Sequence, residues 1–383
     1  MAITKTSIQL PFYARLALVL LSVLLIIIFL EQGKAIFVPL VFALLIAILL
    51  YPLARFFERR LKMGRGGSAI SSLLIFITLL TAFIYFLTQQ IINFTHDIPD
   101  LKVRFKHVFA DMHHWVYTQF HINTAQQTDY INKYATGFVE SGAQSVSNIF
   151  LSLTSILFLI VFVFIFTFFI LFHRQLLVRF TLKLFNVKHQ EKVNEVIGET
   201  KSMINSYIAG LLIEIAVMSV ANTALLLILG IEYAVLLGIV AAVLNIIPYL
   251  GIYTAIALTM FFTFASASGS LALEVGIGLF ILHFLDSNIL MPRIVGAKVK
   301  MNPFITVIAV IVGEFVWGIP GMFLFIPITG IVKMICERVE GLEAWGILIG
   351  VDDTVIKSNK KLVVNTTTEA VAVTTDDVTS EKQ

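Results

Sequence analysis

The sequence has few charged residues, and one long part of it has no cation at all. Charged side chains make up 13% of the 383 residues, against roughly 25% in soluble globular proteins. Between Lys201 and Arg293 the chain contains neither Lys nor Arg. Because a buried ammonium or guanidinium group is costly in a bilayer, this stretch is expected to lie in a membrane. The scarcity of charge excludes an ordinary soluble domain.

Cysteine and the common catalytic motifs are also scarce or absent. The single Cys336 excludes an intramolecular disulfide and cannot form a metal site by itself. The segment Gly64-Arg65-Gly66-Gly67-Ser68 lacks the G-K-[ST] ending of a phosphate-binding loop, and neither H-E-x-x-H nor G-x-S-x-G occurs. We therefore expect no ATPase, no enzyme, no cofactor, no metal and no nucleic-acid partner.

Apolar residues dominate instead, at 58% of the chain, and they fall into runs of membrane-spanning length. Six long runs cover Ala14–Leu30, Ala35–Tyr51, Ala69–Gln89, Ile149–Phe172, Ile204–Leu229 and Leu271–Leu290. Four shorter runs cover Ala234–Ile247, Ile252–Ala267, Phe304–Val316 and Met322–Cys336. The pattern predicts an all-α, polytopic membrane protein, with the lipid bilayer as its first partner.

Basic residues predict the orientation of these runs. They cluster in the link after the second run, in the link after the fourth, and in the segment from Arg293 to Lys300. A single topology puts all three clusters on one side, so the positive-inside rule places them and both termini in the cytoplasm.

Four regions follow from this topology. Residues 1–90 carry three transmembrane segments, and residues 91–148 form an extracytoplasmic insertion of amphipathic helices. Residues 149–338 form a transmembrane transport core that includes a cytoplasmic amphipathic helix near 187–201. Residues 339–383 form a cytoplasmic tail that is expected to be disordered from about residue 357.

The shorter runs are paired around breaks at Pro248–Gly251 and at Trp317–Gly321. Each arm contains 13 to 16 residues. As a helix it reaches roughly 20–24 Å, which is short of a hydrocarbon core of about 30 Å. Two interpretations stay open. The pairs are re-entrant hairpins that enter from opposite faces and meet near the midplane, or they are short, tilted spans joined by apolar turns.

Three carboxylates within apolar runs are candidates for coupling, namely Glu214, Asp286 and Glu314. An ionisable side chain inside a membrane segment is a functional-site hypothesis by default. The structural alternatives are a salt bridge between Asp286 and Arg293, an interfacial position for Glu314, and a neutral or snorkelling Glu214.

Several motifs together resemble the autoinducer-2 exporter family of bacterial membrane proteins. They are Asn205–Gly210, Leu229-Gly230, Ile247–Gly251, Met291–Gly296, Asn302-Pro303, Trp317–Gly321 and Ile326-Pro327. The resemblance implies about eight transmembrane segments, a bacterial cytoplasmic membrane location, ATP-independent transport and homo-oligomers. One departure is Ile252, where the family often has proline after the glycine.

Residues of these motifs, together with Asn245 two positions before Ile247, are the candidates for the transport pathway or gate. They are Asn245, Pro248, Tyr249, Gly251, Pro292, Gly296, Pro303, Gly318, Pro320, Gly321 and Pro327.

These observations predict a permease that exports a small solute, with autoinducer-2 as one cargo that the resemblance suggests. A sodium or other cation/proton antiporter is the alternative within transport, and it would use the three carboxylates. A membrane scaffold or receptor acting through residues 91–148 is the alternative from another class.

Overall fold

The computed structural model describes residues 11–96, 157–248, 250–294 and 301–350. Within these ranges the chain is almost entirely helical, and no strand is formed beyond an isolated bridge between Met301 and Gly350. Seven of the described helices are long and apolar enough to cross a membrane, and three shorter apolar helices accompany them. The prediction of an all-α polytopic membrane protein is confirmed.

The helices are numbered in chain order, and all but two short ones, Met291–Ile294 and Glu343–Ile349, lie on the predicted apolar runs. They are α1 (Phe12–Gln32), α2 (Lys34–Arg60), α3 (Arg65–His96), α4 (Leu157–Lys183), α5 (Gln190–Ile228), α6 (Ala234–Leu244), α7 (Leu250–Ser266), α8 (Gly269–Leu285), α9 (Met291–Ile294), α10 (Pro303–Trp317), α11 (Ile319–Cys336) and α12 (Glu343–Ile349). A single π-helical turn, Asp286–Leu290, joins α8 to α9.

Most helices extend beyond the apolar runs because a helix can continue into water on polar residues. The helix α2 runs on through its basic end to Arg60. The amphipathic helix predicted near residues 187–201 is continuous with the fifth apolar run, so that α5 is one helix of 39 residues. Large apolar side chains on the outer faces of α1, α3 and α4 are exposed, as expected for surfaces that meet lipid.

The helices α6 and α7 form a hairpin that covers only part of the length of the bundle. Its 11-residue first arm is about 16 Å long at 1.5 Å per residue. At the tip, a Cβ on Gly251 would lie 1.8 Å from the carbonyl oxygen of Leu244, so the chain reverses tightly there.

The open end of this hairpin lies beside the end of α3. The ring of Phe94 packs against the rings of Tyr233, before α6, and Phe262, in α7. The distances between ring centroids are 5.0 Å and 4.9 Å, respectively. Since α3 begins at Arg65 in a basic link, the hairpin opens at the end of the bundle opposite the basic clusters. This is the geometry of a re-entrant hairpin entering from the outer face in the predicted topology.

The helices α10 and α11 form a second hairpin, whose tip lies beside the end of α1. Gly318, with φ +65°, makes its turn, and Gly313 and Gly321 bring the two arms into backbone contact. The Trp317 indole nitrogen at the tip donates a 3.0 Å hydrogen bond to the carbonyl oxygen of Leu30, near the end of α1. At the other end, Arg338 pairs with Glu199 near the start of α5.

The two hairpin tips therefore lie at different depths. The second hairpin agrees with the alternative of two short spans joined by an apolar turn, because its tip reaches the last turn of α1. Only the α6–α7 hairpin ends inside the bundle.

Several predicted features lie outside the described residues. They are residues 97–148 of the predicted insertion, the tail from residue 351 onward, and the individual positions Tyr249 and Gly296. The domain boundaries stay predictions.

Candidate functional site

Three of the predicted residues meet at the tip of the re-entrant hairpin. Glu214 lies on the buried face of α5, in a stripe that also contains Tyr207, Gly210 and Met218 at helical spacing. Asn245 directly follows α6, where the hairpin begins its turn. Asp286 begins the π-helical turn after α8. Such turns occur frequently at functional sites because they redirect a side chain within a continuous helix.

The side-chain amide of Asn245 connects the two carboxylates. Its Nδ2 atom donates a 3.2 Å hydrogen bond to Oε1 of Glu214 and a 3.0 Å hydrogen bond to Oδ2 of Asp286. The exposed fraction is 7% for Glu214 and 3% for Asp286, so both groups are removed from solvent. One neutral amide thus holds together two acidic groups from different helices.

Each carboxylate keeps one buried oxygen without a hydrogen-bond partner, Oε2 in Glu214 and Oδ1 in Asp286. Neither group forms an ion pair with a Lys or Arg among the described residues. The predicted alternative of a salt bridge from Asp286 to Arg293 is therefore not formed, and Arg293 is exposed. The cluster is therefore acidic, has no Lys or Arg partner among the described residues, and has carboxylate oxygens that can still accept hydrogen bonds.

A histidine adjoins this cluster on the same helix. His283 lies one turn before Asp286, and its Nε2 atom is 3.2 Å from the hydroxyl oxygen of Ser287. Its Nδ1 atom is buried and has no hydrogen-bond partner. His283 is not among the coupling residues predicted from the sequence, although its i, i+3 spacing from Asp286 is a usable signal.

The cluster lies deep in the bundle. Glu214 is 14 residues from the outer end of α5 at Ile228, a distance of about 21 Å along the helix. Asp286 follows the 17-residue helix α8, which begins near the same end and is about 25 Å long. With a hydrocarbon core of about 30 Å, all three side chains lie within membrane depth.

Most of the other pathway candidates lie in the two hairpins. Pro248 and Gly251 belong to the tip beside Asn245, and Pro292 lies in α9, just beyond the π-helical turn. The remaining described candidates belong to the second hairpin: Pro303 and Pro320 in the first turns of its arms, Gly318 and Gly321 at its tip, and the buried Pro327 within α11.

The third coupling candidate stands apart from the cluster. Glu314 is exposed on α10, and its side chain makes none of the hydrogen bonds that join Glu214, Asn245 and Asp286. Among the residues that the structure describes, no group of three or more His, Cys, Asp and Glu side chains is arranged to hold a metal ion.

A polytopic helical bundle with a broken re-entrant hairpin and a buried acidic cluster is the architecture of a membrane transporter. The chain belongs to the AI-2E family of transporters, whose sequence model matches residues 16–341.

Bacterial relatives agree with this family assignment. YueF of Bacillus subtilis is 27% identical over 335 residues, which cover 82% of this chain and 90% of the relative. YrrI of the same organism is 25% identical over 316 residues, covering 79% of this chain and 86% of the relative. Both carry provisional names as transport proteins. The AI-2 transport protein TqsA of Escherichia coli is 29% identical over 126 residues, which cover 33% of this chain and 37% of that protein.

Proposed function

We propose that this transporter is a cation-coupled exporter of a small solute, with Glu214, Asn245 and Asp286 as the coupling site. The observation that carries this proposal is the pair of buried carboxylates that share one amide donor. Their bound oxygens are at most about 6 Å apart, a separation at which two buried negative charges repel each other strongly. A proton or a monovalent cation on the cluster removes this repulsion.

The position of the cluster supports coupling to a conformational change. Each of the three residues comes from a different element, and Asn245 lies at a hairpin tip rather than within a helix. Movement of the hairpin would separate the amide from one or both carboxylates. Loading and release of a cation would therefore change the relative energies of two hairpin positions, which is the requirement for coupled transport.

The absence of a phosphate-binding loop supports an ion gradient, rather than ATP, as the energy source. The cargo is proposed to be a small solute. Autoinducer-2 is the candidate to test first, because a relative over one third of the chain is named for its transport.

The same cluster favours one second candidate, a cation/proton antiporter without an organic cargo. The two functions differ in one observable. An antiporter exchanges cations and protons in liposomes that contain no solute, whereas a coupled exporter requires its cargo for flux.

The coupling proposal is tested by proton flux in inverted membrane vesicles under an imposed Na⁺ or K⁺ gradient, with and without a cytosolic small-molecule extract. We expect Glu214→Gln and Asp286→Asn to lower the flux at least about ten-fold, because each removes an ionisable oxygen from the site. Glu274→Gln is the matched control, since Glu274 is an exposed carboxylate on α8. Unchanged flux in both cluster variants would contradict the coupling role.

Cargo identity needs a separate experiment. Small molecules in medium and cytosol are compared after deletion and after overexpression of the gene. A solute exported by this protein accumulates in the cytosol on deletion and in the medium on overexpression. If autoinducer-2 does not change in this way, it is not the cargo.

We also propose a location in the bacterial cytoplasmic membrane with both termini inside, and assembly into homo-oligomers. The basic clusters support the orientation. Membership of the AI-2E family supports assembly, because the resemblance to this family implies homo-oligomers. Cysteine labelling from either side and the mass of the protein in detergent test these two points.

A further inference from the structure

A large cavity lies at the basic end of the bundle, away from the acidic cluster. It is about 1230 Å³ in volume and lies between the ends of α2, α4, α5 and α11. Pockets for drug-sized ligands measure roughly 300–1000 Å³. The cavity is therefore far larger than a phosphate ion or a simple metabolite requires.

The rim of this cavity is strongly basic. Three helices supply two cations each: Arg55 and Arg59 from α2, Arg174 and Arg179 from α4, and Lys192 and Lys201 from α5. A seventh cation follows α11, and only two carboxylates, Glu58 and Glu340, line the same space. The rim therefore has an excess of positive charge.

Most of this positive charge is not neutralised by the protein. Arg55, Arg59, Arg179 and Lys192 form no ion pair with a carboxylate among the described residues. The Arg174 guanidinium pairs with Glu58, but its Nη1 atom is buried and has no hydrogen-bond partner. An acceptor from a ligand would satisfy that nitrogen.

The deeper wall of the cavity is apolar. On α2, Leu44 and Ile48 precede Arg55, and on α4, Leu171 precedes Arg174. The other two helices also place an apolar residue deeper in the bundle than their cation: Ile204 lies deeper than Lys201, and Ile331 lies deeper than Arg338. The cavity is thus charged at the end of the bundle and apolar toward its interior, over about 16 Å along α2.

We infer that this cavity binds an anionic phospholipid, with its phosphate among the arginines and an acyl chain along the apolar wall. Arginine is suited to phosphate because its planar group donates two parallel hydrogen bonds. Basic pockets between transmembrane helices on the cytoplasmic side bind lipid head groups in this way. Free phosphate shares the anionic chemistry, but it would leave the apolar wall without a ligand.

Tyr51 gives the proposed head-group site a fixed floor. The Lys201 ammonium lies 2.9 Å from the centroid of its ring, and the Arg174 guanidinium lies 5.4 Å from it. These cation–π contacts hold two of the rim cations in place: the Lys201 ammonium without a carboxylate partner among the described residues, and the Arg174 guanidinium in addition to its pairing with Glu58.

The test uses the full-length protein in a neutral detergent, with phosphatidylglycerol, phosphatidylcholine and inorganic phosphate as separate additions. Melting temperature and native mass spectrometry report binding. We expect phosphatidylglycerol alone to raise the melting temperature and to remain bound in the mass spectrum. The double variant Arg55→Gln/Arg59→Gln is expected to bind it about thirty-fold more weakly, since each basic residue near an anionic lipid contributes about a factor of five.

The double variant removes two exposed side chains without an ion pair, so the fold should tolerate it. Arg65→Gln is the matched control, because Arg65 is exposed near the same end but does not line the cavity. Equal stabilisation by phosphatidylcholine would overturn the proposal, as would phosphatidylglycerol binding that the double variant leaves unchanged. A shift with inorganic phosphate as large as that with phosphatidylglycerol would overturn the lipid assignment.

Discussion

The side-chain amide of Asn245 donates a 3.0 Å hydrogen bond to Asp286, 41 residues further along the chain. This contact joins the tip of a re-entrant hairpin to the π-helical turn that follows α8. Because the same amide also binds Glu214, it fixes the spacing of two buried carboxylates. Replacement of this one neutral side chain should therefore disturb both acidic groups.

The first prediction concerns Asn245→Ala. Hydrogen bonds to charged groups contribute about 1.5–3 kcal/mol, so loss of the shared donor should lower cation-driven flux about ten-fold or more. Asn288→Ala is the control, because Asn288 is exposed in the π-helical turn that begins at Asp286 and donates only to a backbone carbonyl. Proton flux in vesicles is the measurement. Equal flux in the two variants would show that the amide has no role in coupling.

The second prediction concerns the reversal at the same hairpin tip. A Cβ on Gly251 would overlap the carbonyl oxygen of Leu244, so Gly251→Ala should destabilise the protein by about 1–3 kcal/mol. Gly198→Ala in α5 meets no atom within 4 Å and should stabilise the helix by up to about 1 kcal/mol. Thermal unfolding in detergent compares them, and a Gly251→Ala protein as stable as the wild type would contradict the tight turn.

The third prediction concerns the tip of the second hairpin. Trp317→Phe keeps an aromatic ring but removes the hydrogen bond to Leu30, which should cost about 1 kcal/mol. Trp345→Phe serves as the comparison, since Trp345 is 58% exposed on α12. The melting temperature should fall only for the first variant. Equal melting temperatures would argue against contact between this tip and the end of α1.

The fourth prediction concerns the ion pair between α2 and α4. The Arg174 Nη2 atom lies 2.5 Å from Oε2 of Glu58, and both side chains are about four-fifths buried. Glu58→Gln should destabilise the fold by about 1–3 kcal/mol, because it leaves a largely buried guanidinium without its counter-charge. Glu191→Gln, in the exposed first turn of α5, should leave unfolding unchanged. Chemical unfolding in detergent checks the difference, and similar values for both variants would contradict it.

Much of the fold could be predicted from the sequence, because the length of an apolar run directly limits what can cross a bilayer. Ala234–Ile247 anticipated α6, and Phe304–Val316 anticipated α10, to within a few residues. The relative depth of the two hairpins could not be predicted. It depends on contacts such as that between Trp317 and Leu30, which are 287 residues apart.

The acidic site was predictable residue by residue but not as an assembly. Glu214 and Asp286 stood out because a carboxylate is rare in an apolar run. Asn245 stood out because it lies two residues before the family motif Ile247–Gly251. Their meeting depends on tertiary packing of three elements. The same signal selected Glu314, which the structure places on an exposed face.

The basic cavity was missed for a different reason. In the sequence, cations such as Arg55 and Arg174 indicate only the orientation of the chain in the membrane. The sequence contains no sign that four helix ends bring them around one space.

Uptake and release of a cation by the Glu214–Asn245–Asp286 cluster can be followed by infrared difference spectroscopy of the purified protein. In the wild type, the band of a protonated carboxyl group should be present at low pH without Na⁺. It should be lost when the pH is raised or when Na⁺ is added. We expect the band to be absent in Asp286→Asn or in Glu214→Gln, and to persist in Glu274→Gln. A wild-type spectrum without the band, or a band that persists in both cluster variants, would contradict uptake and release at this cluster.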